Sequence, residues 1–421
     1  MRAFRLAHHQ PASGAIARYP FPPALTVKLS DPENDMPLNR KVRYGMVGGG
    51  PGAFIGAVHR KAAALDGEIE LVAGAFSSDA MKSRRQGEQL FLDPTRVYGS
   101  WREMIEGEKK LPEGERIDFV TIVTPNVAHF EIAKGFLEAG FNVVCDKPMT
   151  TKLADAEELC RLVKKHDAVF ALTHNYTGFP MVKQARELVR QGKLGEIKKI
   201  VAEYPQGWLA GATGISMWRL DPKVAGISSA VGDIGLHAWH LARYIAGLEI
   251  EAVCADLTTF GSGYELEDDA NLLVHYQGGA RGIIYSSQMS VGEENGLRVR
   301  IYGTKAGLDW RQENPNYLEL LHGNAPVHTY RRGNDYLDPI VKHNSRLPFG
   351  HHEAFIEAFA NVYVNAARTM AARIAGHKPG EFDTDFPTVQ DGARGVHFIE
   401  KAIESGKKKG WVDARYTPPG E

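Results

Sequence analysis

Two short motifs carry side chains that can move a proton at a hydroxyl group. Lys147 lies in an Asp-Lys-Pro sequence directly after an apolar run, and Asp233 precedes His237 by four residues. Residues four apart on a helix share a face, so Asp233 and His237 should point the same way. An imidazole titrates near neutrality, a nearby carboxylate can fix its tautomer, and an ammonium group can hold a hydroxyl oxygen. Lys147, Asp233 and His237 are therefore predicted to be catalytic.

Asp233 and His237 also have plainer structural interpretations. Asp233 precedes a predicted helix over about residues 234–246, where its carboxylate could act as the N-cap. A lone histidine such as His237 is more often packed or exposed than functional, and we interpret the nearby His240 as structural. Only the combination of carboxylate and imidazole favours a site.

A glycine-rich turn in the first part of the chain predicts a dinucleotide site. It follows an apolar strand and precedes a helix, the setting in which backbone N–H groups approach a pyrophosphate. The third glycine of the usual spacing is either replaced by Ala53 or displaced to Gly56 by an insertion of three residues, and a purely structural turn is the alternative. The predicted cofactor contacts here are Gly48, Gly50, Gly52, Ala53 and Phe54.

The end of the second strand should distinguish NAD from NADP. Ser77 and Ser78 lie there, Asp79 follows, and Arg84 and Arg85 come about a helical turn later. Either serine can bond a ribose hydroxyl or a phosphate. We predict NAD, with NADP as the alternative, because no basic residue directly follows the serines.

A parallel sheet would bring these motifs together. Residues 41–176 alternate apolar strands with helical stretches, as in sheets that are buried on both faces. Ligands bind such sheets at the carboxyl edge of the strands. We predict an α/β protein whose N-terminal Rossmann dinucleotide-binding domain spans 41–176. Its expected strands are 42–47, 69–75, 117–123, 141–146 and 168–173.

The pattern changes after this region. Residues 177–421 show the alternation typical of antiparallel strands and end in two helical stretches, at about 351–374 and 387–405. The predicted strands are 197–204, 250–259, 269–277, 280–288, 296–303 and 326–331. These residues predict a substrate-binding α+β domain with a large, mostly antiparallel open sheet, whose C-terminal helices pack back. Such a sheet leaves a broad face to cover, so we expect a homodimer or homotetramer paired through it. Residues 1–40 are predicted to be a disordered or non-native extension.

Composition limits the class of protein. A chain of 421 residues predicts two domains, and 50 Lys+Arg against 51 Asp+Glu argues against nucleic-acid or anionic-membrane partners. The three scattered cysteines fit neither a disulfide framework nor a zinc site, and no apolar run reaches the roughly 20 residues of a membrane span. We predict a cytoplasmic protein with a small-molecule ligand and no metal.

The substrate wall is predicted from aromatic and polar residues of irregular stretches. Aromatic faces can stack on a sugar ring, and an arginine can pair with a carboxylate if the substrate is a sugar acid. Core packing is an equal alternative for any one aromatic residue. The predicted substrate contacts are Tyr176, Tyr204, Trp208, Trp218 and Arg219.

Taken in order, these motifs resemble the Gfo/Idh/MocA family of glucose–fructose oxidoreductases and inositol dehydrogenases. The resemblance covers roughly residues 41–410 and departs from the family at Asp146, where the family has glutamate, and at an insertion over 51–53. The matching segments are the glycine-rich turn with His59, Thr124-Pro125-Asn126 with His129, Asp146-Lys147-Pro148, and Gly232-Asp233-x-x-x-His237.

The resemblance implies an NAD(P)-dependent enzyme that oxidises a secondary hydroxyl of a sugar, sugar derivative or inositol. It also implies that Thr124, Pro125, Asn126, His129 and Asp146 line the cofactor, together with Lys147. The base is left open between His237 and Lys147. Two other activities fit the same fold: a redox-neutral glycosidase that holds NAD, and a non-catalytic NAD-sensing regulator.

Overall fold

The computed structural model describes residues 36–211 and 218–421. The extension predicted over 1–40 falls mostly outside these ranges. Its last five residues are described and lie on the folded chain: Met36 and Leu38 pack against an apolar core, and Arg40 donates to Asp118 at 2.7 and 2.9 Å.

The first sheet is parallel throughout, with strand order β2-β1-β3-β4-β5. Its strands are short, apolar runs that are buried on both faces, as the sequence predicts. They are β1 (Val42–Gly48), β2 (Ile69–Ala75), β3 (Phe119–Val123), β4 (Asn142–Cys145) and β5 (Phe170–Leu172).

Helices cover both faces of this sheet. They are α1 (Phe54–Ala64), α2 (Ala80–Gln89), α3 (Trp101–Lys109), α4 (His129–Glu138) and α5 (Leu153–His166). The helix α3 is an addition to the predicted pattern. Its N-cap, Ser100, accepts a hydrogen bond from the Glu103 N–H, a signal that the sequence contained.

The second sheet has nine strands, in the order β13-β12-β11-β10-β6-β9-β8-β7-β14. Among the strands of the described ranges, β6 and β9 pair in parallel and every other pair in this sheet is antiparallel. The strands are β6 (Ile197–Pro205), β7 (Ile250–Thr258), β8 (Asp269–Tyr276), β9 (Arg281–Ser287), β10 (Arg298–Gly303), β11 (Gly307–Arg311), β12 (Tyr317–Leu321), β13 (His328–Arg331) and β14 (Val412–Asp413). The predicted fold class is confirmed.

One face of the second sheet packs on helices, and Trp239 of α8 is buried in that core. Leu273 of β8 lies on the opposite face and is 50% exposed. The pairing of subunits through this face stays a prediction. The helices of this half are α6 (Pro180–Arg190), α7 (Pro222–Ala225), α8 (Leu236–Ala246), α9 (Pro339–His343), α10 (Phe355–Ile374) and α11 (Val389–Lys408).

The last two long helices return to the first sheet. Tyr363 of α10 is fully buried beside α1, where its hydroxyl lies 2.7 Å from His59 Nδ1. Val389 and Ala393 of α11 are buried in the core on the other face. The core of the first sheet is therefore completed by the end of the chain. The domain limits at 176 and 177 stay predictions.

In the described residues, no helix is long and apolar enough to cross a membrane. Within the same ranges, no group of three or more His, Cys, Asp or Glu side chains is placed to hold a metal ion.

Candidate active site

Lys147 lies just beyond β4, at the carboxyl edge of the first sheet. Its Nζ donates to Asp233 Oδ1 at 2.9 Å and to the Asp233 backbone carbonyl at 2.6 Å. Both side chains are mostly buried, with 15% and 23% of their surfaces exposed. The structure thus brings together two predicted catalytic residues that are far apart in sequence.

Asp233 lies inside a π-helical turn, Val231–Gly235, that leads directly into α8. The alternative that Asp233 caps the helix is wrong, because Gly235 is the N-cap and Asp233 already has helical neighbours on both sides. A π-turn widens the backbone spiral and is frequent at functional sites. Here it leaves the carboxylate of Asp233 free to accept hydrogen bonds from outside the helix.

The start of this turn is held by Glu267, which is buried. Its Oε1 accepts hydrogen bonds from the Ser228 hydroxyl and from the backbone N–H groups of Ser229 and Val231. Burial raises the pKa of Glu267, while these donors oppose the rise. Glu267 therefore positions the segment that carries Asp233.

The electrostatics favour a charged Asp233. Burial alone would raise its pKa, but the positive charges of Lys147 and Arg219 outweigh burial and lower it to about 2. Arg219 Nε lies 3.5 Å from Asp233 Oδ2, and Gln288 Nε2 donates to the same oxygen at 3.3 Å. Two cations share this carboxylate.

His237 is neutral in the folded protein. Burial lowers its pKa well below the usual value, and the charge of Lys147 lowers it further. The carboxylate of Asp233 makes its hydrogen bonds to Lys147 and Gln288, and in the described residues His237 Nδ1 has no hydrogen-bond partner. The proposed fixing of the imidazole tautomer by Asp233 is therefore not seen in this structure.

Behind His237 lie two further buried histidines. The ring of His174 stacks on that of His240 at 4.0 Å and meets His237 edge-on at 5.6 Å. The pKa values of His174 and His240 are also lowered well below the usual value, mainly by burial. His240, expected to be structural, belongs to a cluster of three neutral imidazoles.

Two adjoining cavities meet at these residues. The inner one, of about 170 Å³, is lined by Tyr176, Trp218 and Arg219, and the outer one, of about 640 Å³, by Tyr204 and Trp208. Each of the five predicted substrate residues therefore lines at least one of the two cavities. Lys147, Asp233 and His237 line both cavities.

The outer wall contains amides that the sequence did not single out. Asn295 Oδ1 accepts from the Tyr204 hydroxyl at 2.6 Å and from Gln206 Nε2 at 2.9 Å, and the Tyr204 and Tyr176 hydroxyls lie 2.5 Å apart. Gln206 Oε1 in turn accepts from Trp208 Nε1 at 3.1 Å. Asn295 comes from the loop between β9 and β10, whose sequence has no motif that marks it.

Asn175 also lines the inner cavity and was missed. Its side chain is buried, and its Nδ2 has no partner in the part of the chain that the structure describes. An amide donor in this setting is available to a ligand. Only its position beside Tyr176 could have suggested it.

The glycine-rich turn fits a pyrophosphate. Gly48 has φ +83° and a Cβ there would lie 2.2 Å from the Val123 carbonyl oxygen, while a Cβ at Gly50 would lie 2.5 Å from that of Phe76. The N-cap of helix α1 is Ala53, whose side chain cannot accept a hydrogen bond, so the first N–H groups of the helix are left for an anion. The residues present therefore suit a dinucleotide cofactor.

The predicted cofactor residues separate into two groups. Gly50, Ala53, Phe54, Ser77, Thr124, Asn126, Asp146 and Lys147 line cavities at the sheet edge. Gly48, Gly52, Ser78, Pro125 and His129 do not line them. His129 instead links two loops, with its ring nitrogens 2.8 Å from the Pro148 carbonyl oxygen and 2.9 Å from that of Thr124.

Asp146, which replaces the glutamate of the family motif, is held in place. It accepts hydrogen bonds from the Thr173 hydroxyl and the Lys147 N–H, both at 2.9 Å. Burial would raise its pKa, but His59 and Lys147 lower it well below the usual range. The shorter side chain thus remains an anion at the sheet edge.

The two sheets and the glycine-rich turn define a dinucleotide-binding oxidoreductase. Residues 42–174 match the model of an oxidoreductase family with an NAD-binding Rossmann fold, and residues 182–309 match the GFO/IDH/MocA C-terminal domain. The chain belongs to the Gfo/Idh/MocA family and is an NAD(P)-dependent oxidoreductase.

Several relatives support this assignment. The uncharacterized oxidoreductase YfiI of Bacillus subtilis is 33% identical over 89% of this chain and 98% of its own. An inositol dehydrogenase homolog from Azotobacter vinelandii, solved with NADH and myo-inositol, is 34% identical with a TM-score of 0.84, covering 90% of this chain and 98% of its own. An NADP-dependent D-xylose 1-dehydrogenase of Haloarcula marismortui is 29% identical over 32% of this chain and 38% of its own.

Proposed function

We propose that this protein oxidises a secondary hydroxyl group of a cyclic polyol, either a sugar, a sugar derivative or an inositol. The observation that carries the proposal is the meeting of the Lys147 ammonium, the Asp233 carboxylate and the neutral His237 imidazole on the wall of one cavity. This wall adjoins the glycine-rich turn that suits the cofactor. The solved relative that binds myo-inositol with NADH supports the same class of substrate.

The charges around the cavity favour a neutral substrate. The two cations, Lys147 and Arg219, face the carboxylates of Asp146 and Asp233, so the protein balances its own charge. The rest of the wall combines the apolar side chains of Phe54, Ile234 and Phe355 with phenols, amides and an indole, which donate and accept hydrogen bonds without charge. A hydroxyl-rich ring can use these groups at many positions.

Each catalytic candidate then has a distinct role. Lys147 keeps an anionic partner and is placed to donate a hydrogen bond to the reacting oxygen. His237 is neutral and has a free ring nitrogen, so it can accept the hydroxyl proton. Asp233 holds Lys147 in the cavity through the 2.9 Å contact. The bound nicotinamide supplies the acceptor for the carbinol hydrogen.

The decisive experiment follows the absorbance of reduced cofactor with NAD or NADP against inositols, aldoses, glycosides and anhydrosugars. We expect reduced cofactor to form with one class of ring. Release of free sugar from a glycoside without net reduced cofactor would instead identify the redox-neutral glycosidase. Cofactor binding by calorimetry with no turnover of any compound would contradict the proposal and favour a sensor.

A further inference from the structure

A third cavity lies at the opposite end of the glycine-rich turn from Lys147. It measures about 610 Å³ and lies where the turn meets the end of β2 and the first turns of α2. Its lining residues are Gly50, Pro51, Ala53, Phe76, Ser77, Lys82, Arg85 and Gln89. Among the described residues, the lining of this cavity has two cations, Lys82 and Arg85, and no carboxylate. The cavity therefore has an unbalanced positive charge.

Three of these residues share one face of α2. Lys82, Arg85 and Gln89 are spaced by three and four residues, which places their side chains in a row along the helix. Arg84 is equally exposed on the same helix but does not line the cavity. The geometry of the helix thus selects which basic residues face the cavity.

Neither Lys82 nor Arg85 has a side-chain ion pair or hydrogen bond among the described residues. The nearest acid, Asp79, is already used: its Oδ1 accepts from the Met81 N–H at 2.9 Å and the Lys82 N–H at 3.2 Å as the N-cap of α2. Ser77 Oγ accepts from the Asp79 N–H at 3.1 Å, which leaves the serine hydroxyl hydrogen to donate. The side chains of Lys82 and Arg85 and the hydroxyl group of Ser77 are therefore available to bind an anion.

In a Rossmann domain, residues at the end of the second strand bind the adenosine ribose of the cofactor. A carboxylate there bonds the 2′-hydroxyl of NAD and repels a phosphate, whereas basic residues accommodate the 2′-phosphate of NADP. In this protein, basic residues and no carboxylate line the cavity at the end of β2. We propose that Ser77, Lys82 and Arg85 form a subsite for the 2′-phosphate and that this protein binds NADP more tightly than NAD. The proposal rests on the proposed function only in requiring a nicotinamide dinucleotide.

The test compares dissociation constants of NADP⁺ and NAD⁺, measured by calorimetry without substrate. For the unmodified protein we expect NADP⁺ to bind at least about tenfold more tightly, as charge-assisted hydrogen bonds to a phosphate imply. Lys82→Ala and Arg85→Ala should each weaken NADP⁺ binding by about tenfold and change NAD⁺ binding by less than about twofold.

Arg84→Ala is the matched control, because it removes the same charge from the same helix outside the cavity. It should leave both dissociation constants nearly unchanged. Thermal unfolding of each variant checks the fold, and since Lys82 and Arg85 are exposed, the single variants should unfold like the parent protein. Equal or tighter binding of NAD⁺ by the parent protein, or an equal loss of both cofactors in the variants, would overturn the proposal.

Failure of this proposal can be told apart from failure of the proposed function. Tight binding of NADP⁺ with no polyol oxidised would leave the subsite standing and remove the activity. Oxidation of a polyol with NAD⁺ alone would do the opposite. The binding measurement needs no substrate, so it gives a result in either case.

Discussion

The two ends of the cofactor groove differ in the pairing and burial of their charged side chains. We call the end at Lys147 the reacting end and the end at Lys82 and Arg85 the far end. At the reacting end, Lys147 is mostly buried and lies 2.9 Å from Asp233. At the far end, Lys82 and Arg85 are exposed and unpaired among the described residues. A balanced and buried set of charges suits a neutral ligand that is recognised by hydrogen bonds. An unbalanced and exposed set suits an anion.

The energetic consequences also differ. Removing one member of a buried ion pair leaves the other charge without compensation, which is costly. Removing an exposed and unpaired cation costs the fold little. Changes at the reacting end should therefore affect catalysis and folding together, whereas changes at the far end should affect cofactor affinity alone.

The largest effect is expected from Lys147→Ala. The variant should lose about a thousandfold in kcat, because the reacting oxygen loses its positioned donor. Cofactor affinity, measured by calorimetry, should change by only a few-fold. Lys61→Ala on the exposed side of α1 is the control and should keep full activity. Turnover that survives in the Lys147 variant would remove this residue from the mechanism.

Acid should destabilise the folded protein through the buried histidines of the reacting end. The pKa values of His174, His237 and His240 are lowered in the folded protein, so these rings stay neutral there, whereas in the unfolded chain they take up protons below about pH 6.5. Between about pH 6.5 and 5.5, three such groups increase the unfolding equilibrium constant by roughly a hundredfold, about 3 kcal/mol.

Denaturant unfolding at several pH values measures this loss of stability. His240→Asn should flatten the pH dependence by about one proton, while His377→Asn, at an exposed histidine, should not. If the free energy of unfolding is flat over this interval, the three imidazoles are not neutral in the folded state.

The outer wall of the reacting end should act on affinity more than on rate. Asn295→Ala removes the acceptor that Tyr204 and Gln206 share, so KM for the substrate should rise about tenfold, with kcat changed less than about threefold. Tyr302→Phe on the open face of the second sheet is the control. A large fall in kcat with unchanged KM would place Asn295 in the chemical step instead.

The smallest expected effect is that of salt, which should weaken ligand binding at the far end more than at the reacting end. Raising potassium chloride from about 50 to 500 mM shortens the screening length several-fold, so NADP⁺ should bind a few-fold more weakly at the exposed cations. The KM of a neutral polyol at saturating cofactor should change by less than about twofold. Equal salt dependence at the two ends would contradict the contrast between them.

Much of the fold could be predicted from the sequence because it depends on local periodicity. The apolar strands and the glycine-rich turn marked the sheet edge where Lys147 lies. The predicted strands missed β11, β12 and β14, which have only five, five and two residues. They also implied that β6 and β9 run antiparallel, although they pair in parallel. Pairing between distant strands depends on tertiary structure that local periodicity does not report.

The site was predictable where a motif identified it and not where tertiary structure assembled it. Lys147 and Asp233 come from motifs, and they meet as expected. The π-helical turn that carries Asp233 and the position of the Asn295 amide depend on contacts across the chain. The preference for NAD was based on the residues directly after Ser78, whereas the helix places Lys82 and Arg85 in the cavity.

The return of α10 and α11 to the first sheet affects how the chain emerges from the ribosome. The strand β5 ends at Leu172 and α10 begins at Phe355, about 180 residues later. At 5–20 residues per second, roughly ten to forty seconds pass between the synthesis of β5 and that of the first residue of α10. Until α10 and α11 are made, the apolar surface that they cover is exposed. A fragment that ends near residue 176 should therefore aggregate rather than fold.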